Sequence, residues 1–402
     1  MSGVERTPSL ATPASAGRAR DLAAARAGAP RAARAQARDV ERPRTRGAAL
    51  RQALAVALAG SLAACATPRE CPPCAEPSPS SPSPSLADPG RSDISKPEAI
   101  DPRPRPLELR ADDGHRLRLW QLEPAAAATG GRPAILLVHG RTWSGLPDFD
   151  LRVGDDARRS LMHALAARGW AAYALDLRGY GESERDASGW NTPDRAAADL
   201  LAALDLIRER EGAAPDLLGW SYGALVSQLA VQRRPDAARK LVLYGYPRDP
   251  AARTKPATTP AEPGPPARAR NTAAAARSDF ITPGSIPEAA IAAFVEASLA
   301  ADPVRADWRS VEQFAALDPE AVTIPTLVIH GVGDPIARPS WQAALFSGLG
   351  VDERQWVVLA GADHAAHLER PAAFRRALLA FLDDRAEATA AAATATASEV
   401  RP

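Results

Sequence analysis

Leu217-Leu218-Gly219-Trp220-Ser221-Tyr222-Gly223 is the stretch on which the fold of this chain turns. An apolar run that enters a G-x-S-x-G pentapeptide and leaves it as a helix must turn so sharply that the serine oxygen stands clear of both elements. Glycine is required two residues to either side, because side chains there would collide. Alone the pentapeptide carries little weight in a chain rich in Ala and Gly; two segments nearer the carboxyl terminus supply that weight. Thr326-Leu327-Val328-Ile329 reads as a strand that leads through His330-Gly331-Val332-Gly333 to Asp334, and Gln355-Trp356-Val357-Val358-Leu359 reads as another that leads through Gly361 to His364. A serine, an acid and a histidine thus succeed one another, each just past a strand.

Three further segments fit the same pattern. Ala134–Val138 runs into His139-Gly140-Arg141-Thr142-Trp143-Ser144, Asp176-Leu177-Arg178-Gly179-Tyr180-Gly181-Glu182-Ser183 comes after another apolar run, and Gly361–Glu369 surrounds His364. With these residues in place, 133–384 resembles a serine hydrolase of the α/β-hydrolase superfamily. The resemblance implies an α/β fold with a mostly parallel sheet of about eight strands, helices on both faces and a small lid insertion.

The periodicity agrees. Leu107–Ala111 and His115–Leu122 alternate apolar with polar residues around Asp112-Asp113-Gly114, the pattern of an antiparallel hairpin at a sheet edge. Apolar runs at 134–139, 170–175, 216–218, 240–244, 326–330 and 356–359 alternate with helical patterns such as 196–207 and 374–382. Strands alternating with helices predict a sheet covered on both faces, with ligand chemistry at the carboxyl ends of its strands. The rhythm breaks between Tyr246 and Asp318, where the superfamily places its cap, so 247–318 is expected to form the lid.

A serine hydroxyl is a poor nucleophile at neutral pH and needs a base within hydrogen-bond reach. His364, after a strand and a glycine, is the expected base; His367 aligns instead with the start of the last helix. Asp334 is expected to accept from the other imidazole nitrogen and to stabilise the imidazolium, with Asp249 the runner-up. Negative charge on a substrate carbonyl oxygen needs donors already in place. The Tyr222 amide supplies one, and by resemblance the Arg141 amide supplies the other, with Thr142 second. Trp143, Trp220, Phe280, Phe294 and Trp308 are candidates for the substrate pocket. His139 and His330 read as turn-stabilising, and Asp176, Arg178 and Ser183 as holding their loop. The expected reaction is hydrolysis of a small-molecule or lipid carboxylic ester through an acyl-enzyme, with no cofactor. Other acyl chemistry of the superfamily, and a non-catalytic surface binding protein, stay open.

Composition narrows the rest. The 402 residues are 46% hydrophobic and 24% charged with a net charge of +1, which suits a large core and gives no electrostatic reason to expect nucleic acid. No cluster of His and Cys has zinc-ligand spacing, so no metal is expected. Residues 1–51 form a basic extension, long enough to suggest a true start near Val40. The uncharged 52–64 run closes in Ser61-Leu62-Ala63-Ala64-Cys65, a short apolar core with small residues before a cleavage point. It is shorter than the about 20 residues of a membrane-spanning helix. It resembles a bacterial lipobox, which implies lipidation of Cys65 and anchorage in the cell envelope, at the outer membrane in preference to the inner. Residues 66–106 read as a Pro/Ser tether and 385–402 as an Ala/Thr-rich tail. Within the tether, Cys71 and Cys74 are a pair that an oxidising envelope could join.

Overall fold

The computed structural model describes residues 103–124, 133–252 and 264–383. The basic extension, the Cys65 segment, the tether with Cys71 and Cys74, and the 385–402 tail lie outside the described residues.

Strands β1 (Arg105–Arg110) and β2 (Arg116–Leu122) pair antiparallel, Leu109 facing Leu117, and the connecting turn closes with the Gly114 N–H on the Ala111 carbonyl at 2.9 Å. Next come β3 (Ala134–Val138), a short helix α1 (Gly145–Phe149), a hairpin of β4 (Asp150–Val153) and β5 (Asp156–Ser160), α2 (Leu161–Ala166) and β6 (Ala171–Asp176). The chain continues through β7 (Trp190–Asn191), α3 (Pro193–Glu211), β8 (Asp216–Trp220), α4 (Tyr222–Arg233) and β9 (Leu241–Tyr244). An insertion carries α5 (Ala273–Arg277), α6 (Glu288–Ala301) and β10 (Asp307–Trp308), after which come β11 (Thr326–Gly331), α7 (Pro339–Gly348), β12 (Arg354–Leu359), α8 (Ala366–Glu369) and α9 (Pro371–Leu382).

Eight strands form one sheet in the order β1-β2-β6-β3-β8-β9-β11-β12, parallel except for β1 and β2. Its interior strands are continuous apolar runs because both faces are covered. Alternate residues enter opposite cores: Leu136, Val138, Tyr173, Leu175, Leu241 and Leu243 pack on one side, and Ile135, Leu137, Ala172, Ala174, Val242 and Tyr244 on the other. Register is set by shape and by hydrogen bonding as well as by polarity. A one-residue slip of β6 would exchange Tyr173 with alanine positions and break its hydroxyl away from Gln121 and Glu211, at 2.8 and 2.5 Å.

Helix α3 shows how the local sequence sets an element's ends. Thr192 accepts the Arg195 N–H, Pro193 occupies the first turn, and Gly212 closes the helix at φ 79° with its N–H on the Arg208 carbonyl. Between these stops Ala196, Leu200, Ala203, Leu204 and Ile207 are fully buried on one stripe.

The segment expected as a lid, 247–318, contains α5, α6 and β10, and residues 253–263 lie outside the described set. Strand β10 pairs with β7, Trp308 opposite Asn191, and α6 buries Phe294 in a small core with Trp143, Leu151 and Leu368. Nothing in the sequence announces the β4–β5 hairpin or the β7–β10 ladder, because runs of two to five mixed residues carry no period.

Candidate active site

Ser221 occupies the turn from β8 into α4 with φ 54° and ψ −118°, a conformation that costs a non-glycine residue about 1–3 kcal/mol. The surroundings hold it there. Its N–H donates to the Tyr244 carbonyl at 2.8 Å, and the two flanking glycines admit close backbone contact. A Cβ at Gly219 would lie 2.3 Å from the Gly223 carbonyl oxygen, and one at Gly223 would lie 2.3 and 2.5 Å from the oxygens of Val138 and His139. The elbow therefore packs directly on the end of β3, which brings the His139-Gly140-Arg141 loop beside the serine. A Cβ at Gly140 would be 3.6 Å from that of Ser221.

Asp334 lies just past β11 and His364 just past β12. His364 Nδ1 donates to Asp334 Oδ2 at 2.8 Å, and Oδ1 accepts the N–H groups of Ile336 and Ala337, both at 2.8 Å. Burial pushes the Asp334 carboxyl up, but the His364 hydrogen bond and charge and the two amides together hold it below its ordinary value. With Nδ1 donating, Nε2 of neutral His364 is an acceptor. Its backbone is held as well, the His364 carbonyl accepting from Trp220 Nε1 and from the Tyr244 hydroxyl, each at 2.9 Å.

Ser221 and His364 share a cavity of ≈ 160 Å³. Gly140, Arg141, Thr142 and Trp143 of the loop after β3 form one wall, Trp220 lines it from the end of β8, and Ile336 from the loop after β11. His139 positions this loop. Its Nε2 accepts the Leu177 N–H at 3.0 Å, so its Nδ1 donates to the Gly140 carbonyl at 2.8 Å and fixes the peptide group that carries the Arg141 N–H. Burial lowers the His139 pKa to about 4, which keeps the ring in this neutral form. Tyr180 donates to the Arg141 carbonyl and accepts from Trp308 Nε1 at 2.7 Å, tying the next peptide to the insertion. The Tyr222 N–H, the first of α4, has no intrahelical acceptor. The Tyr222 side chain packs edge-on against Trp308 and Phe314 and beneath the Arg141 guanidinium.

Of the aromatic residues expected in the pocket, Trp143 and Trp220 line the cavity. Phe280, Phe294 and Trp308 are not on its wall among the described residues. Phe280 and Phe294 stack edge to face at 5.2 Å behind Trp143, and Trp308 serves the Tyr180 contact. The alternative acid Asp249 accepts the Ala251 N–H at 2.9 Å and caps a local turn, and Asp363 accepts the Thr282 N–H at 2.6 Å, tying its loop to the insertion. His367 Nε2 donates to the Asp148 carbonyl at 2.7 Å, and burial lowers its pKa to about 4. His330 Nδ1 donates to the Gly331 carbonyl at 2.8 Å. Asp176 accepts from Trp120 Nε1 and the amides of Gly145 and Glu182, knitting its loop to β2 and α1.

Two acidic cavity residues escape sequence reading. Asp148 of α1 is fully buried with Oδ2 on the Gly140 N–H at 3.2 Å, and Asp279, after α5, accepts from Trp143 Nε1 at 2.6 Å. Neither sits in a recognisable motif; the fold of α1 and of the insertion carries them to the serine. Among the described residues no group of His, Cys, Asp and Glu is arranged to hold a metal, and no helix is long and apolar enough to cross a membrane.

Comparison with known proteins gives the family and the fold. Residues 133–371 contain the whole constellation, and the model of the Hydrolase_4 family, described as serine aminopeptidase S33, matches residues 155–371, more than half of the chain. The polyketide synthase ThaQ of Burkholderia thailandensis is 32% identical over 295 residues, 68% of this chain but 14% of that protein. The mouse serine hydrolase BPHL is 31% identical over 121 residues, 29% of this chain and 36% of the mouse protein. The chain thus spans well under two thirds of the length of these curated relatives. Among solved structures, a hydrolase from Pseudomonas aeruginosa superimposes with a TM-score of 0.50 at 23% identity, covering 69% of this chain and 98% of that one, a likeness of fold. With the family model spanning Ser221, Asp334 and His364 on a mostly parallel eight-stranded sheet, the chain belongs to the Hydrolase_4 (serine aminopeptidase S33) family of α/β-hydrolases.

Proposed function

We propose that the protein hydrolyses carboxylic esters through an acyl-enzyme on Ser221. The observation that carries this reading is the Asp334–His364 hydrogen bond on the cavity that holds Ser221. His364 Nε2 takes the Ser221 proton as Oγ attacks the ester carbonyl, and Asp334 stabilises the imidazolium that forms. The Arg141 and Tyr222 amides receive the oxyanion, the second of them aided by the amino-terminal dipole of α4. His364 returns its proton to the departing alcohol, and water, deprotonated by the same base, then releases the acid. Only main-chain donors are used, so the Arg141 and Trp143 side chains are available for specificity.

A fluorophosphonate probe tests this reading, since it labels a serine only where the hydroxyl is activated. The adduct is expected on Ser221 by peptide mapping. In Asp334→Asn, the imidazole loses its tautomeric lock, and both the labelling rate and ester turnover are expected to fall by about 10²–10⁴-fold. A variant that labels at the native rate would remove Asp334 from the mechanism.

We also propose, from the residue pattern around Cys65, that the enzyme is lipid-anchored in a bacterial cell envelope. Cys65→Ser is expected to move the protein from the detergent phase to the aqueous phase on Triton X-114 partition, and an unchanged distribution would rule the anchor out.

A further inference from the structure

We propose that the groove between α2 and α9 is a binding site for a phosphate ester, its phosphate held by Arg168, Arg375 and Arg376. The groove shares no residue with the Ser221 cavity, and the inference does not depend on the hydrolase reading.

The groove encloses ≈ 490 Å³, within the roughly 300–1,000 Å³ of small-molecule pockets. Helix α9 builds one wall. Ala372, Arg375, Arg376 and Leu379 recur at spacings of three and four and so share a face, while Phe374, Leu378 and Phe381 are buried in the core. The turn that ends α2 brings Arg168 to the other wall. Ala164, Ala167 and Ala372 line the space between the two helices and are too short to fill it.

Three guanidiniums thus border one groove, and no carboxylate lines it. That is a local excess in a chain whose net charge is only +1. Arg375 donates through Nη1 to the Arg158 carbonyl at 3.2 Å. Arg168 and Arg376 have no hydrogen bond or ion pair among the described residues. On β5, beside Arg375, Asp156 is already paired with Arg158 at 2.8 Å. Burial and the Arg168 charge hold the Arg375 pKa below its ordinary value, as expected of cations that repel one another at close range. An anion seated among them would replace that repulsion with attraction.

The arginine fork fits phosphate in particular, through paired N–H groups on neighbouring oxygens. A carboxylate offers two oxygens, whereas a phosphomonoester offers three, one for each guanidinium. The alanines and Leu379 leave room for the uncharged body of the ester. A soluble phosphate ester and a lipid phosphate headgroup present the same chemistry to the groove.

Two titrations test the site at fixed ionic strength. Calorimetry on the full-length chain compares glycerol 3-phosphate with glycerol. Co-sedimentation of full-length Cys65→Ser, which has no cysteine to lipidate at that position, compares phosphatidic acid vesicles with phosphatidylcholine vesicles. At least one phosphomonoester probe is expected to bind about 10-fold or more tightly than its counterpart. Arg168→Gln/Arg376→Gln is expected to lose that margin, with thermal unfolding as the control for folding. Arg168→Lys/Arg376→Lys, which keeps the charge and removes the forks, is expected to restore only part of it. Binding of glycerol 3-phosphate that the Gln variant loses would assign the groove to soluble esters. Binding confined to phosphatidic acid vesicles, and lost in the same variant, would assign it to a lipid headgroup. No margin with either probe, a margin unchanged in the Gln variant, or full restoration by lysine would overturn the site.

Discussion

Ser221→Ala is expected to lower turnover of any ester the protein hydrolyses by about 10⁴–10⁶-fold while the protein stays folded. The loss is large because, in the proposed mechanism, the serine, its base and the acid act as a unit. Once the nucleophile is gone, His364 and Asp334 have no bond-forming step to assist. The residual rate is what the amide donors and substrate binding provide without an acyl-enzyme. The fold should tolerate the change, because what holds the elbow is main-chain: the Ser221 N–H to the Tyr244 carbonyl, and the close approach of Gly219 and Gly223 to their neighbours. Steady-state kinetics of the purified variant, with thermal unfolding as the control for folding, decide the matter. Retained turnover in a pure preparation would mean that another residue is the nucleophile.

The largest effect on stability is expected at Arg178, in the loop after β6. Its guanidinium is 1% exposed and is shared by three carboxylates from separate parts of the chain. Asp199 of α3 is engaged in a bidentate pair at 2.9 and 2.8 Å, Asp113 of the β1–β2 turn at 3.0 and 3.1 Å, and Asp186 at 2.8 Å. Arg178→Met keeps most of the packing volume but leaves the Asp199 side chain, which is fully buried, with only Arg195 beside it. Breaking a buried pair from one side costs about 3–5 kcal/mol, because the remaining charge is stranded. Urea unfolding of the variant measures this. A loss below about 1 kcal/mol would show that the cluster is solvated enough to dispense with its arginine.

The same cluster has a pH signature. Chiefly through the Arg178 hydrogen bond, Asp113 titrates at about 2 in the folded protein against an ordinary 3.8. As pH falls, the unfolded chain takes up this proton first, so the contribution of the pair is complete above about pH 4 and fades toward pH 2. In Arg178→Met that part of the acid sensitivity should disappear.

Much of the site was legible in the linear order of residues. The Gly219–Gly223 pentapeptide, the strand leading to Asp334 and the strand leading to His364 are local patterns. Each records a steric demand, at the elbow or at a strand end, that few residues can meet. The hairpin around Gly114, the body of α3 and the continuous apolar strands were legible for the same reason, since periodicity, turn chemistry and burial on two faces act within one stretch of chain. His139 illustrates the boundary. Its place before a glycine at a strand end marked it as a turn residue. That it holds the Arg141 peptide group through Gly140, with Leu177 fixing its tautomer, depends on a residue just past β6 and 38 positions away.

Which aromatic side chains face the cavity, and what else does, emerges only when distant segments pack. Trp143 and Trp220 line it, whereas Phe280, Phe294 and Trp308 pack behind it, because an aromatic residue's place depends on which neighbour fills the space in front of it. Asp148 and Asp279 are 131 residues apart in sequence and meet at Ser221 only once α1 and the insertion have folded. A carboxylate in a motif-free segment is ordinary surface chemistry until burial removes its water. The fold, and the order of Ser221, Asp334 and His364, are written in the linear chain because the constraints behind them operate over a few residues. The charge, size and walls of the cavity came from long-range packing, which no local pattern encodes.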